Sequence, residues 1–432
     1  MADSPAPRHI AIIGGGYAGM AAAVALAERS IPVTVYESAR HLGGRARSLD
    51  YRGARLDNGQ HLLLGAYRDT LRLIRQVHAG TPPLLSHPLN LTTPGLFSLS
   101  APRLPAPLHL AAALFTARGL SYAQGFAAAR FMRTLQQCGF RLDRDCSVDA
   151  LLARHGQNGA LYRHLWQPLC LAALNTPPEI ASARIFVNVL RDSLAGPRSA
   201  SDLYFPQVGL GELFPLPAAA YVSCRGGRVK LGQTVRSLTE ADAGYRLATA
   251  DEAECFSHVI VAVAPQRLAP LLAGLPALQP WAGQVENFAY QPIYTVYLQY
   301  PAGTGLSHPM LGMAGGLGQW LFDQGRISGQ NGLLAAVVSG PGRHERMENG
   351  EIARTIHEEI GTLLGRPMPP AMWHKTIAEK RATFSCGVDL PRPSHLTPLR
   401  NFFLAGDYTA GEYPATLEGA VRSGLACAAA VG

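Results

Sequence analysis

Apolar residues fall along this chain in runs of two kinds. Four are short and unbroken: Ile10 to Ile13, Val33 to Tyr36, His258 to Ala264 and Asn401 to Ala405. They are too brief for helices and rich in bulky side chains, so they predict strands buried on both faces, as in a parallel sheet. Runs of the second kind are long and rich in small residues. One spans Met20 to Arg29 and another follows Pro414 to the C-terminus, and both predict helices able to pack closely on that sheet. Between the ends, Arg228 to Leu231 and Thr234 to Leu238 alternate between apolar and polar residues. Tyr245 to Thr249 continues the alternation, which predicts further strands.

The first strand runs directly into Gly14-Gly15-Gly16-Tyr17-Ala18-Gly19, a G-x-G-x-x-G pattern, and the second strand ends at Glu37. Gly14 permits the tight turn, Gly16 lets the backbone approach a pyrophosphate, and Gly19 allows close helix–strand contact. The helix start offers free N–H groups and the positive end of its dipole to phosphates. Glu37, 18 residues beyond Gly19, is placed to accept hydrogen bonds from a ribose diol. The glycines alone would also fit an ordinary turn. Strand, helix, second strand and terminal acid in this order point to a dinucleotide.

The next loop, His41 to Ser48, selects FAD over NAD. Gly43-Gly44-Arg45 adds free backbone N–H groups and a guanidinium that can reach the pyrophosphate. The expected fold is therefore α/β. A Rossmann-like FAD-binding domain is assembled from the discontinuous segments 1–83, 201–280 and 391–432. An α+β substrate domain is built from 84–200 and 281–390.

Near the far end, Asn401 to Ala405 closes on Gly406-Asp407, and a loop from Tyr408 to Tyr413 leads to Pro414, Thr416, Leu417 and a last helix. Proline just inside a helix start is favourable, because its missing N–H would have been unpaired there. Asp407 is expected to bond the ribitol chain, and the N–H groups near Thr416 and Leu417 to face the flavin pyrimidine edge. Gly59 and Val235 complete the residues assigned to the cofactor.

Composition narrows the picture. With 432 residues, 47% hydrophobic and 16% charged, the chain can bury a large core. The most apolar stretch, Val259 to Leu278, is broken by Pro265, Arg267 and Pro270, so a strand and a short helix are expected there, not a membrane span. Seven scattered cysteines lack metal or disulfide spacing, so no metal is expected. The first strand begins by His9 and Ile10, which leaves no room for a signal peptide, and a cytoplasmic setting is expected. The net charge of +8 raises nucleic acid and anionic membrane as partners. With three lysines and dispersed arginines no nucleic acid is expected, while attraction to acidic lipid stays open. Leu104 to Leu120 fits two descriptions, a surface helix dipping into a membrane interface or a core helix of the substrate domain.

These motifs resemble those of the flavin amine oxidase and phytoene desaturase superfamily, including Gly406-Asp407 and the tail Gly419 to Gly424. Within it the chain is similar to the hydroxysqualene dehydroxylases of bacterial hopanoid pathways. Three stretches carry that likeness: Leu56 to Leu63, Trp166 to Pro178, and Ala405 to Thr409 with Tyr413 to Gly419. The resemblance implies that hydroxysqualene and reduced flavin give squalene, water and oxidised flavin. It also implies a C30 isoprenoid substrate taken from a membrane or from another squalene-pathway enzyme, with the protein peripheral on the inner face of the cytoplasmic membrane. Alternatives within the superfamily are a desaturase of squalene or a carotenoid-type polyene, then an amine oxidase or a non-catalytic prenyl-lipid carrier. Thr416 stands where amine oxidases carry an aromatic cage residue, and Tyr294 to Leu298 lacks their lysine; both weigh against that reading. A general acid must protonate the departing hydroxyl. His61, expected beneath the isoalloxazine ring, is the first candidate, with a structural hydrogen-bonding role as its alternative. Tyr413 is the second, with packing as its alternative. Cys170 fits as core filler.

Overall fold

The computed structural model describes residues 8–432, and in it the four unbroken apolar runs, joined at one edge by Arg228–Leu231, form one five-stranded parallel sheet. Residues 1–7, on which the absence of a signal peptide partly rests, lie outside the described residues. The strand order is Arg228–Leu231, Val33–Glu37, Ile10–Ile13, His258–Val261, Phe402–Leu404. All four residues of the central strand are buried. Its alternate side chains serve two cores. Ile10 and Ile12 pack with the helices Tyr17–Glu28 and Leu417–Ala430, whereas Ala11 and Ile13 face Leu238, Leu247 and Phe256. The two helices touch so closely that a Cβ on Gly424 would lie 2.1 Å from the Ala18 carbonyl oxygen. The run of small residues is what permits this.

Three boundaries differ from the sequence expectation. The first helix starts at Tyr17, inside the glycine motif, because Gly16 itself is the N-cap. Residues 234–236 are irregular, and the antiparallel meander begins only at Ser237. The chain just before it is tied elsewhere, with the Gly232 and Gln233 N–H groups donating to the Ala39 and Glu37 carbonyls. The last helix starts at Leu417, so Pro414 lies ahead of it, and the Thr416 hydroxyl caps the Gly419 N–H at 3.1 Å.

A second, antiparallel five-stranded sheet stands above the first. Its strands are Met310–Gly312, Trp320–Asp323, Leu333–Ser339, Tyr290–Gln299 and Trp373–Phe384, in that spatial order. Tyr294, Val296 and Leu298 on one face pack against Ile352, Ile356 and Ile360 of the helix Asn349–Leu364. A helical layer covers residues 108–194. Leu104 to Leu120 is helical only over Leu108–Thr116, with His109 and Ala113 buried and Leu104 and Leu108 exposed, so it is a surface helix with one buried face. No helix among the described residues is long and apolar enough to cross a membrane.

Candidate functional site

The glycine motif sits where the central strand meets its helix. Gly14 has φ +115°, and a Cβ there would lie 2.4 Å from the Ala262 carbonyl oxygen. A Cβ on Gly19 would lie 1.9 Å from the Gly14 carbonyl oxygen, so strand and helix meet there without room for a side chain. Gly16 is different, because a Cβ there would meet nothing within 4 Å. The space above it is open. With glycine as N-cap, no side chain satisfies the first N–H groups of the helix Tyr17–Glu28, which are left for an anion.

Gly43 and Gly44, at φ +111° and +60°, bring the second loop against the first. The Gly43 N–H donates to the Gly15 carbonyl at 3.0 Å, and a Cβ on Gly44 would lie 3.5 Å from Gly16 Cα. Glu37 accepts the Gly15 N–H at 2.7 Å and the Ala39 N–H at 2.8 Å. The Ser38 hydroxyl also donates to the oxygen that faces Ala39, at 3.2 Å, so the oxygen facing Gly15 is the one that keeps a lone pair for a ribose hydroxyl. Val235 is half-buried in the irregular segment beside the Gln233–Glu37 contact. A cradle of backbone N–H groups with an acid at its rim fits an adenine dinucleotide.

Arg45 and Asp407 meet each other. The guanidinium donates to both Asp407 oxygens, at 2.6 and 2.7 Å, and to the Ala382 carbonyl at 2.7 Å. The pair therefore joins the second glycine loop, the C-terminal Gly-Asp turn and the upper sheet. Asp407 is buried, while Arg45 keeps 35% of its side-chain surface accessible.

His61 and Tyr67 are likewise only partly covered. The segment 57–61 bridges the Arg45 loop and the upper sheet. Asn58 Nδ2 donates to the Arg45 carbonyl at 3.2 Å, and the Gln60 N–H to Thr295 Oγ1 at 3.3 Å. Thr295 thus occupies the strand where an amine oxidase lysine was sought. Gly59 accepts the hydrogen bond of His61 Nδ1 at 2.6 Å. A carbonyl can only accept, so Nδ1 carries the proton and a neutral ring offers Nε2 as a bare acceptor. Burial lowers the His61 pKa, and Arg45 adds to this against the pull of the Gly59 carbonyl and Asp57, which keeps the ring neutral.

Tyr413 is committed to a partner. Its hydroxyl donates to Asp192 at 2.6 Å, and the Arg422 guanidinium lies 4.1 Å above its ring. Tyr67, which sequence reasoning missed, stands edge-on to that ring with centroids 6.4 Å apart and lies beside the Thr416 side chain. Burial, then nearby Glu418, raises its pKa, so the phenol keeps its proton. Its only signal in the sequence is its place six residues after His61. Thr416 caps the last helix through Gly419, which leaves the Leu417 N–H free at the helix start. Glu418 is fully buried; it accepts the Thr70 N–H at 2.9 Å and hydroxyl at 2.7 Å, and Arg422 Nε at 2.8 Å. Cys170 is fully buried, and desolvation raises its thiol pKa, away from reactivity.

Comparisons with known proteins cover nearly the whole chain. The family described as flavin containing amine oxidoreductase matches residues 17–432. Hydroxysqualene dehydroxylase of Sinorhizobium fredii is 31% identical over 441 residues, spanning 97% of each chain. Zeta-carotene desaturase of Synechocystis sp. is 26% identical over 479 residues, spanning 98% of this chain and 97% of its own. Among solved structures, an oxidoreductase from Methanosarcina mazei superposes with a TM-score of 0.75 at 14% identity, over 97% of this chain and 99% of its own. At that identity the likeness speaks for the fold alone.

Proposed function

The chain belongs to the flavin-containing amine oxidoreductase family, and on that premise we propose that it removes the hydroxyl of hydroxysqualene reductively, giving squalene and water. FAD is its cofactor and, when bound and reduced, supplies the hydride. One observation carries the substrate assignment: the likeness to a hydroxysqualene dehydroxylase runs over 97% of both chains at 31% identity, above the 26% shared with the desaturase. A C30 isoprenoid is insoluble in water, so it comes from a membrane or from a preceding enzyme of the squalene pathway.

The residues divide the work. The backbone N–H groups left free within Gly16 to Gly19 and at Gly44 hold the pyrophosphate. Glu37 takes the ribose, and Arg45 with Asp407 closes the turn over the ribitol. The Leu417 N–H faces the pyrimidine edge. At the reacting end a proton must reach the departing oxygen. Tyr67 supplies it, because Tyr413 already donates to Asp192 and His61 presents an acceptor. His61 Nε2 receives the hydrogen bond of the substrate hydroxyl and orients it.

Tyr67→Phe is expected to lower kcat by about 10²- to 10⁴-fold, the usual worth of a positioned acid, with the flavin spectrum unchanged. Tyr413→Phe should cost less than about tenfold, since a positioned acid would cost more. A reversed order of the two effects would make Tyr413 the donor. The bare His61 Nε2 also suits a proton acceptor, which is the observation favouring desaturation as second reading. The deciding experiment reduces the purified protein without oxygen, adds hydroxysqualene, and follows flavin absorbance and extracted lipid together. Squalene formed in step with flavin reoxidation is the expected result. Unchanged lipid, with oxidised enzyme consuming squalene instead, would establish the desaturase.

A further inference from the structure

From Thr70 to Leu142 the chain contains seven arginines and no aspartate or glutamate, although the whole sequence holds 30 acidic residues. Within this stretch lie five of the large apolar side chains most exposed to solvent. They are Leu96 at 49%, Leu104 at 41%, Leu108 at 55%, Tyr122 at 75% and Phe126 at 64%.

Leu108, Tyr122 and Phe126 lie on two packed helices, Leu108–Thr116 and Tyr122–Gln137, joined by Phe115 and Phe126 with ring centroids 4.8 Å apart; Leu104 precedes the first helix, and the Leu96 backbone lies against Gly119 in the link between them. The second helix is divided lengthwise. Gly125, Ala128, Phe131 and Leu135 face the core, while Tyr122, Phe126, Arg130 and Arg133 follow one another along the exposed face. A core accounts for the first set and leaves the second unused. The arginines are free to act outward. In sequence order the ion pairs pass from Arg72–Asp69 to Arg184–Asp389, so Arg103, Arg118, Arg130 and Arg133 enter none among the described residues. Just behind the exposed Leu96, Phe97 turns inward and lines an apolar crevice with Leu91, Leu165, Leu169 and Trp320.

We infer that this helical pair is a docking surface for an anionic bilayer, with Leu104, Leu108, Tyr122 and Phe126 entering the interface and the arginines pairing with lipid phosphates. Exposed aromatics and leucines bordered by arginine, with no acid in the same stretch of chain, match the two attractions that hold peripheral proteins to membranes. A protein partner would need shape and polar complementarity; a bilayer needs only these two terms. The surface rests on the proposed substrate for its purpose, but its binding is read without turnover, so the two ideas fail separately.

The test uses the full-length, FAD-loaded protein in sedimentation with vesicles. The probes are vesicles of phosphatidylcholine alone and vesicles with one-third phosphatidylglycerol. Wild type is expected to bind the mixed vesicles, with added salt weakening the binding. Each arginine near such a surface is worth about fivefold in partitioning. Arg130→Gln with Arg133→Gln should therefore lower binding to the mixed vesicles roughly 25-fold and change binding to neutral vesicles little. Tyr122→Ser with Phe126→Ser should lower both. Every variant must keep its flavin absorbance and melting temperature. Equal binding by all variants, or no binding by wild type, would overturn the assignment. So would a wild-type dimer that Phe126→Ser turns into a monomer without any vesicle binding.

Discussion

Gly16→Val is expected to fold, stay soluble and purify without colour. The prediction is sharp because the glycines of one motif differ in what surrounds them. A side chain at Gly16 enters open space, so it leaves the strand–helix joint intact and fills only the room a pyrophosphate needs. Circular dichroism and a melting curve should match those of wild type stripped of flavin, while bound flavin falls below detection. Gly19→Ala is the contrast. Its added carbon would lie 1.9 Å from the Gly14 carbonyl oxygen, which damages the joint itself and lowers stability whether or not flavin is present. A yellow, flavin-loaded Gly16→Val protein would show that the phosphates bind elsewhere.

Glu418→Ala carries the second large effect, and it acts on stability. The Glu418 carboxylate accepts the Asp69 and Thr70 N–H groups at the start of the helix Arg68–Val77 while it pairs with Arg422 four residues on. It therefore joins a helix near the N-terminus to the helix that ends the chain. Removing it leaves buried N–H groups and the Thr70 hydroxyl without their acceptor, and takes a negative charge from the positive end of a helix dipole. Each buried donor left without its acceptor costs about 1–3 kcal/mol. Denaturant unfolding of the protein with and without flavin measures it directly. Glu418→Gln, which keeps one acceptor oxygen, should recover part of the loss. If Glu418→Ala unfolds at the wild-type midpoint, the two helices are held by their apolar contacts alone.

How much of this was legible beforehand depended on whether a requirement is local. Gly14, Gly16 and Gly19 fall within six residues, directly after an apolar strand, so the pattern shows them without a structure. The parallel strands announced themselves through unbroken apolar runs because both of their faces are covered. Partners far apart in sequence left no such trace. Glu418 meets Thr70 across 348 positions, and Tyr413 meets Asp192 across 221, so neither pairing could be inferred from spacing. Tyr413 therefore stood in the sequence only as a second candidate acid with packing as its alternative, and Tyr67 went unremarked.

The stretch Trp166 to Pro178 shows an intermediate case, conspicuous as a motif but silent about its role. Asn175 adopts a left-handed conformation at φ +45°, donates to Thr383 Oγ1 at 3.0 Å and accepts the Gly340 N–H at 3.0 Å. The Trp166 indole donates to Gln157 at 3.0 Å inside the helical layer. The distinctive residues there join the helical layer to the upper sheet.

The order of strands in the parallel sheet also bears on how the protein is made. Ile10–Ile13 emerges from the ribosome first but lies in the middle, and one flank waits for His258–Val261 and then Phe402–Leu404. At roughly 5–20 residues per second, translation takes some tens of seconds to deliver those neighbours. Until then a fully apolar strand has an open edge, the state most prone to pairing with another chain. A nascent chain stalled before residue 400 would lack both the last strand and the helix that covers it. Premature termination should therefore yield an aggregating fragment.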